Sequence, residues 1–438
     1  MPIERVAGTN LTYYFAAFDA DSRERPDDPD GPMSDQIVAA AADPSITDIF
    51  IFAHGWRHSL LEAQHQYGDW IRLMAGQTAD MHQMHAVRPG FHPLLVGLHW
   101  PSEPGFAALR GLSVQDQHFT LRDRVIATFG DLFGKETRTT DALAAIAAGV
   151  EQAPTDLTLS SAEQAGYAEL AKDAELVEEQ EAGPREESPP LLDPAFIIKR
   201  VAGDARHAHE TGFLSKLAPL AMLSFWKMKR RARIFGGSAA HQVLVRILQQ
   251  ASSNVRVHLM GHSFGCIVVS GMLIGSLAST APALPRPVQS LTLVQGALSA
   301  WSFCSNLPHW TDHPGHFHSI IANGLVQGPL LTTRSKHDRA LNWWYWLGTL
   351  TAKDVDFAPW KETWNDALGI RGAQGLGIQV ENLALASADT EYQFAPGVFY
   401  NLEGKDILRE GDWISGAHGD FLRPEIAHAV WSAARPPS

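Results

Sequence analysis

Cysteine is almost missing from this chain: Cys266 and Cys304 are the only two in 438 residues. Two thiols with no C-x-x-C spacing cannot make a disulfide framework or a cysteine-based zinc site. Charge is also scarce, at 19% of residues, and leans acidic, with a net charge of -13. That balance argues against a general nucleic-acid binder, which needs a basic surface. No apolar run reaches membrane-spanning length without charges. The opening Met-Pro-Ile-Glu-Arg-Val has no apolar h-region, so no secretory signal is expected and the cytoplasm is the expected compartment. Internal repeats are absent. What remains is a chain whose residues are 45% hydrophobic, enough for a sizeable core in one large domain with insertions, or in two domains.

The most informative stretch runs from Val255 to Ser270. It starts as a short apolar run with β-branched valines, which predicts a buried strand. It then reads Gly261-His262-Ser263-Phe264-Gly265 and continues as Cys-Ile-Val-Val-Ser-Gly-Met-Leu-Ile, an apolar helix. A serine between two glycines at a strand-to-helix turn has the form of a nucleophile elbow. The turn is tight, so side chains two positions to either side would collide, and Gly261 and Gly265 stand there. The turn lifts the Ser263 hydroxyl out of the sheet and leaves the Phe264 amide at a helix N-terminus, facing any developing negative charge. Cys266, inside the apolar helix, is expected to be a buried thiol.

Other buried strands are predicted at Leu11 to Phe18, Asp48 to Ala53, Pro93 to Trp100, Val288 to Val294, Pro329 to Thr333 and Gly397 to Leu402. Helices are expected at Gln36 to Ala42, Leu60 to Ala75, Asp141 to Gln152, Gly237 to Ala251 and Pro424 to Ala434. His54-Gly55-Trp56 ends the Asp48 strand abruptly. An attacked carbonyl becomes an oxyanion that needs two fixed donors about 3 Å away. The Trp56 and Phe264 N–H groups are the candidates, with His54 and Gly55 shaping the turn.

Between about Glu103 and Ser215 the α/β alternation stops. The segment from Ser161 to Glu187 is strongly acidic and is expected to be a solvated arm or spacer. Phe213 to Phe235 is apolar and carries Lys227, Lys229, Arg230, Arg231 and Arg233. A core helix with one solvated basic face, pairing with the acidic arm, is preferred to a membrane-surface helix. His309, His313, His316 and His318 crowd one loop region, but their spacing fits no metal motif. The run Trp343-Trp344-Tyr345-Trp346 is expected in core or pocket wall.

A serine hydroxyl needs a base, and the base needs an acid to hold its tautomer. Ser263, Asp338 and His418 each follow a predicted strand, in the order Ser…Asp…His. Asp312 and Asp354 are weaker rivals for the acid. His337 is set aside as the base, because loop neighbours rarely point at each other.

Through Ile-Phe-Ala-His-Gly-Trp, Gly-His-Ser-Phe-Gly, Thr-Arg-Ser-Lys-His-Asp and Ala-His-Gly-Asp-Phe, the chain resembles the α/β-hydrolase superfamily, in particular its lipase- and esterase-like members. The resemblance covers most of the chain except roughly residues 103–215. It implies an α/β fold with a mostly parallel central sheet flanked by helices, formed by residues 1–102 and 216–438, with residues 103–215 as an inserted helical cap. It also implies a serine hydrolase of carboxylic esters, with catalytic Ser263, Asp338 and His418 and no metal or organic cofactor. A small-molecule or lipid-like ester would be its partner. Thioesterase or amidase chemistry on the same residues, and a non-catalytic binding protein on the same fold, are the alternatives.

Overall fold

The computed structural model describes residues 3–25, 31–102, 120–153, 156–173, 193–203, 212–276, 282–308, 312–342, 367–387, 389–411 and 416–436. Its centre is a nine-stranded sheet. The strands are β1 (Ile3–Arg5), β2 (Thr12–Ala17), β3 (Asp48–Ala53), β4 (Pro93–His99), β5 (Arg256–His262), β6 (Ser290–Val294), β7 (Leu330–Arg334), β8 (Val380–Ala384) and β9 (Phe399–Glu403). They lie in the order β1-β2-β4-β3-β5-β6-β7-β9-β8. Only β1 with β2 is antiparallel; every other neighbouring pair is parallel. A parallel sheet is covered on both faces, which is why its central strands read as unbroken apolar runs.

The pleat sorts those runs. Ile49, Ile51 and Ala53 of β3 and Val257 and Leu259 of β5 enter one core, while Phe50, Phe52 and Met260 enter the other. On the second face lie α2 (Leu60–Gly76), α3 (Thr78–Val87) and α13 (Pro424–Ala434). The first face carries α1 (Met33–Ala41), α9 (His241–Gln250) and α10 (Gly265–Ile274). It also carries α8 (Gly212–Phe235), which runs through a π-helical turn, Gly236–Ala240, into α9. The helix expected from Gly237 therefore begins as that π turn. This turn packs against α10 too closely for a side chain: a Cβ on Gly236 would stand 2.7 Å from the Val268 carbonyl. Two short helices, α11 (His318–Ala322) and α12 (Leu368–Arg371), border the β6 and β7 side.

Between β4 and α8 the chain forms α4 (Leu121–Phe133), α5 (Thr137–Gln152), α6 (Ser161–Asp173) and α7 (Pro194–Gly203). Val125, Phe129, Leu143, Ile146, Tyr167 and Leu170 from these helices are buried in the same cluster as the first sheet face.

Two expectations are corrected here. The first glutamate of the expected acidic arm is not in solvent. Glu163 is buried, caps its own helix through Ser160, and lies 2.9 Å from the equally buried Lys216. An isolated charge could not be buried at that depth, but a pair can. The Glu-rich residues 174–187 lie outside the described residues. Nor does α8 present a solvated basic face. Lys229 is buried beneath the rings of Phe225 and Trp226, and Lys227, Arg230, Arg231 and Arg233 are only half-exposed. Long aliphatic stems let such residues cover apolar surface, and Arg231 ends on the Pro101 carbonyl at 3.1 Å. Among the described residues no helix is long and apolar enough to cross a membrane.

Candidate active site

Because β3, β5, β7 and β9 are parallel, residues just beyond their C-terminal ends share one edge of the sheet, the edge where open α/β sheets bind ligands. Ser263 follows β5 directly. Its φ is +56°, a conformation that costs a non-glycine residue energy and persists only where neighbours enforce it. The neighbours are identifiable. The Ser263 amide donates to the Val294 carbonyl (3.0 Å), and its carbonyl accepts from Cys266 (3.1 Å) and Ala297 (3.2 Å). A Cβ on Gly265 would stand 2.0 Å from the Ala53 carbonyl, and one on Gly261 would stand 2.4 Å from the Gly265 carbonyl. The glycines therefore let α10 start directly against the end of β3. Cys266 is buried there, and burial pushes its thiol well above the ordinary range.

His418 and Asp338 are brought to Ser263 from far along the chain. His418 Nε2 lies 2.8 Å from Ser263 Oγ, and its Nδ1 lies 2.7 Å from Asp338 Oδ2. The other Asp338 oxygen accepts the Leu341 amide at 2.9 Å, and the carboxylate is fully buried. A carboxylate can only accept, so Nδ1 carries the proton and Nε2 is bare toward the serine. His337 and Asp338 diverge, the first exposed and the second buried. Asp312 is exposed; Asp354, His309 and the aromatic run from Trp343 to Trp346 lie outside the described residues.

The turn after β3 passes over Ser263. His54 is buried in it, stacked on Trp100. The Trp100 amide points at His54 Nε2 (3.3 Å), so Nδ1 carries the hydrogen and donates to the Gly55 carbonyl (2.8 Å). A trans peptide is planar, so fixing the Gly55 carbonyl also fixes the opposite direction of the Trp56 N–H. Arg57, at φ +71°, and His58 donate their amides to the Ser102 carbonyl and hydroxyl, both at 3.0 Å. The hydroxyl of buried Tyr67 accepts the His54 amide (2.8 Å) and donates to the Leu98 carbonyl (2.6 Å). Tyr67 and Ser102 thus hold the turn; neither is singled out by the sequence reading, for which a polar residue in an apolar pattern was the available signal.

Trp56, Phe264, Ser263 and His418 line one cavity of about 590 Å³. Phe225 from α8 and Leu341 add to its apolar side, and Glu410 and Asp420 also line it. Of α4 to α8, only α8 contributes a lining residue among those described. Among the described residues no acceptor takes the Phe264 amide. Burial first, then nearby cationic or imidazole groups, hold His54 and His262 well below the usual histidine range and bring His99 to about 4. These histidines are neutral at neutral pH.

A second Ser-His-Asp chain offers a control. His258 Nδ1 lies 2.8 Å from Ser290 Oγ, and its Nε2 lies 3.2 Å from Asp48 Oδ1. All three are buried at the opposite ends of β3, β5 and β6, where Arg88 also holds Asp48 at 2.6 Å. None of them lines the cavity that Ser263 opens onto. Access distinguishes the two sets.

Compared with protein-family models, with curated proteins and with solved structures, the chain matches none.

Proposed function

We propose that the chain is a serine hydrolase of the α/β-hydrolase type that cleaves carboxylic esters. One observation carries the reading: the continuous hydrogen-bonded path from Ser263 Oγ through His418 to Asp338, ending at a cavity that a ligand can enter. The sheet order and the chain order Ser…Asp…His, each beyond the end of a parallel strand, agree with it.

In this reading the Ser263 oxygen attacks the ester carbonyl while its proton passes to His418 Nε2. Asp338 keeps the imidazole in the required tautomer and stabilises the imidazolium. The Phe264 and Trp56 amides meet the oxyanion. His418 then protonates the leaving alkoxide, and water, deprotonated by His418, releases the acyl group from Ser263. Trp56, Phe225, Phe264 and Leu341 favour an apolar acyl or alcohol part. The helices α5, α6 and α7 would act as a cap through their contacts with α8, whose Phe225 reaches the cavity.

The test is labelling by a fluorophosphonate, followed by a panel of esters, thioesters and amides of graded chain length, with Ser263→Ala as control. Absence of labelling in the folded wild-type protein overturns the reading and favours a binding protein on this fold. Preference within the panel ranks the three bond types.

A further inference from the structure

His418 sits on a loop beyond β9, and its ring geometry depends on how that loop's backbone is held. Among the described residues, three hydrogen bonds tie the backbone of Ala417 and His418 to other parts of the chain. The Ala417 amide donates to the His337 carbonyl at 2.9 Å. The Ala417 carbonyl accepts from Gln295 Nε2 at 2.6 Å. The His418 carbonyl lies 3.0 Å from His262 Nε2, which must carry the hydrogen.

Gln295 is the unusual member. It is fully buried and has φ +45°, a region that glycine fills without strain and other residues rarely enter. Arg57, Ser263 and Gln295 are three of the five non-glycine residues with positive φ among those described. A strained backbone retained beside a reactive serine points to a task for the side chain. Its backbone N–H donates to Thr333 Oγ1 at 3.1 Å. The residues around it grip Ser263: the Val294 carbonyl accepts the Ser263 amide, and the Ala297 amide donates to the Ser263 carbonyl.

We propose that Gln295 is a positioning residue: it ties the backbone that carries Ser263 to the backbone that carries His418, so that Ser263 Oγ and His418 Nε2 stay within hydrogen-bond reach. The inference rests on the hydrolase reading for its catalytic meaning, but the tie itself is testable without a substrate. Gln at this site reaches a carbonyl one residue from the base. A glycine would relieve the backbone and lose the donor.

The experiment uses the full chain and two variants. Gln295→Met keeps bulk without a donor; Gln295→Gly removes strain and donor together, and serves if the first fails to fold. The downfield proton resonance of His418 Nδ1–H is identified by its loss in Asp338→Asn. We expect it to broaden or shift in both Gln295 variants. Fluorophosphonate labelling is expected to slow about 10- to 100-fold, the scale of a small misplacement of reacting groups, and with an ester kcat should fall while KM holds. An unchanged resonance and labelling rate in either folded variant overturns the proposal, and reduces Gln295 to a packing residue. A wild-type protein that never labels overturns the hydrolase reading instead, and the resonance then decides the tie alone.

Discussion

A Cβ added to Gly55 would stand 2.8 Å from the Cβ of Ser263. The backbone of the turn after β3 therefore passes directly over the serine, closer than any side chain allows. That approach brings Trp56 and Phe264 to one cavity wall, with ring centroids 5.7 Å apart. It also explains why the His-Gly pair ends β3: a larger residue at position 55 would push the turn off the serine or twist the elbow.

Ser263→Ala should abolish fluorophosphonate labelling and lower kcat by about 10⁴-fold or more, the scale of nucleophile removal in such sites. Thermal stability should barely move. Undiminished turnover in the purified, folded variant would dismiss the mechanism.

Asp338→Asn should cut turnover strongly, because the amide cannot stabilise an imidazolium and can impose the wrong tautomer on His418. Asp312→Asn should be silent, since that residue is exposed. The comparison needs only kcat values for the two variants. Equal losses would remove Asp338 from its assigned role.

Gly265→Ala should be severely destabilising, since its Cβ would stand 2.0 Å from the backbone carbonyl of Ala53 and neither backbone can retreat. The contrast is Gly68→Ala in α2, which meets nothing within 4 Å and should stabilise by about 0.5–1 kcal/mol. Denaturant unfolding of both checks the pair, and a tolerated Gly265→Ala would mean the elbow is looser than described.

Glu163→Ala should cost about 3–5 kcal/mol, because it strands the buried Lys216 ammonium. A double variant, Glu163→Met with Lys216→Met, should recover much of that loss. If the single change is neutral, Lys216 finds another partner or reaches water.

His428 supplies a pH dependence. Burial disfavours its charged form, but the Asp80 carboxylate and the Thr390 carbonyl outweigh that and raise its pKa. Both ring nitrogens face acceptors, Asp80 at 2.8 Å and Thr390 at 2.7 Å. A folded pKa above the unfolded value means the contribution is complete below about pH 6.5 and fades as pH rises through the folded value. Melting curves of wild type and His428→Gln between about pH 5.5 and 8.5 should therefore converge at the alkaline end. Parallel curves across that range would show that the pair does not titrate there.

The sequence alone determined the central strands, because a two-sided parallel sheet forces unbroken apolar runs such as Ile49 to Ala53; the short edge strands β1 and β8, exposed along much of their length, carry no such run and were not legible. It also determined the elbow, because only glycines pass where Gly261 and Gly265 stand, and local sterics are written locally. Tertiary structure decided what depends on partners distant in the chain. In the sequence Glu163 reads as the start of a solvated arm; in the fold it pairs with buried Lys216. The cations of α8 read as a wet face in the sequence; in the fold Phe225 and Trp226 cover Lys229. Ser290, His258 and Asp48 repeat the same three residue types as Ser263, His418 and Asp338. The glycine-flanked turn singles out Ser263 in the sequence, but only the packed structure shows that Ser290 sits in a buried network while Ser263 lines a cavity. Burial and access are properties of the packed whole, and they fixed which serine can meet a ligand.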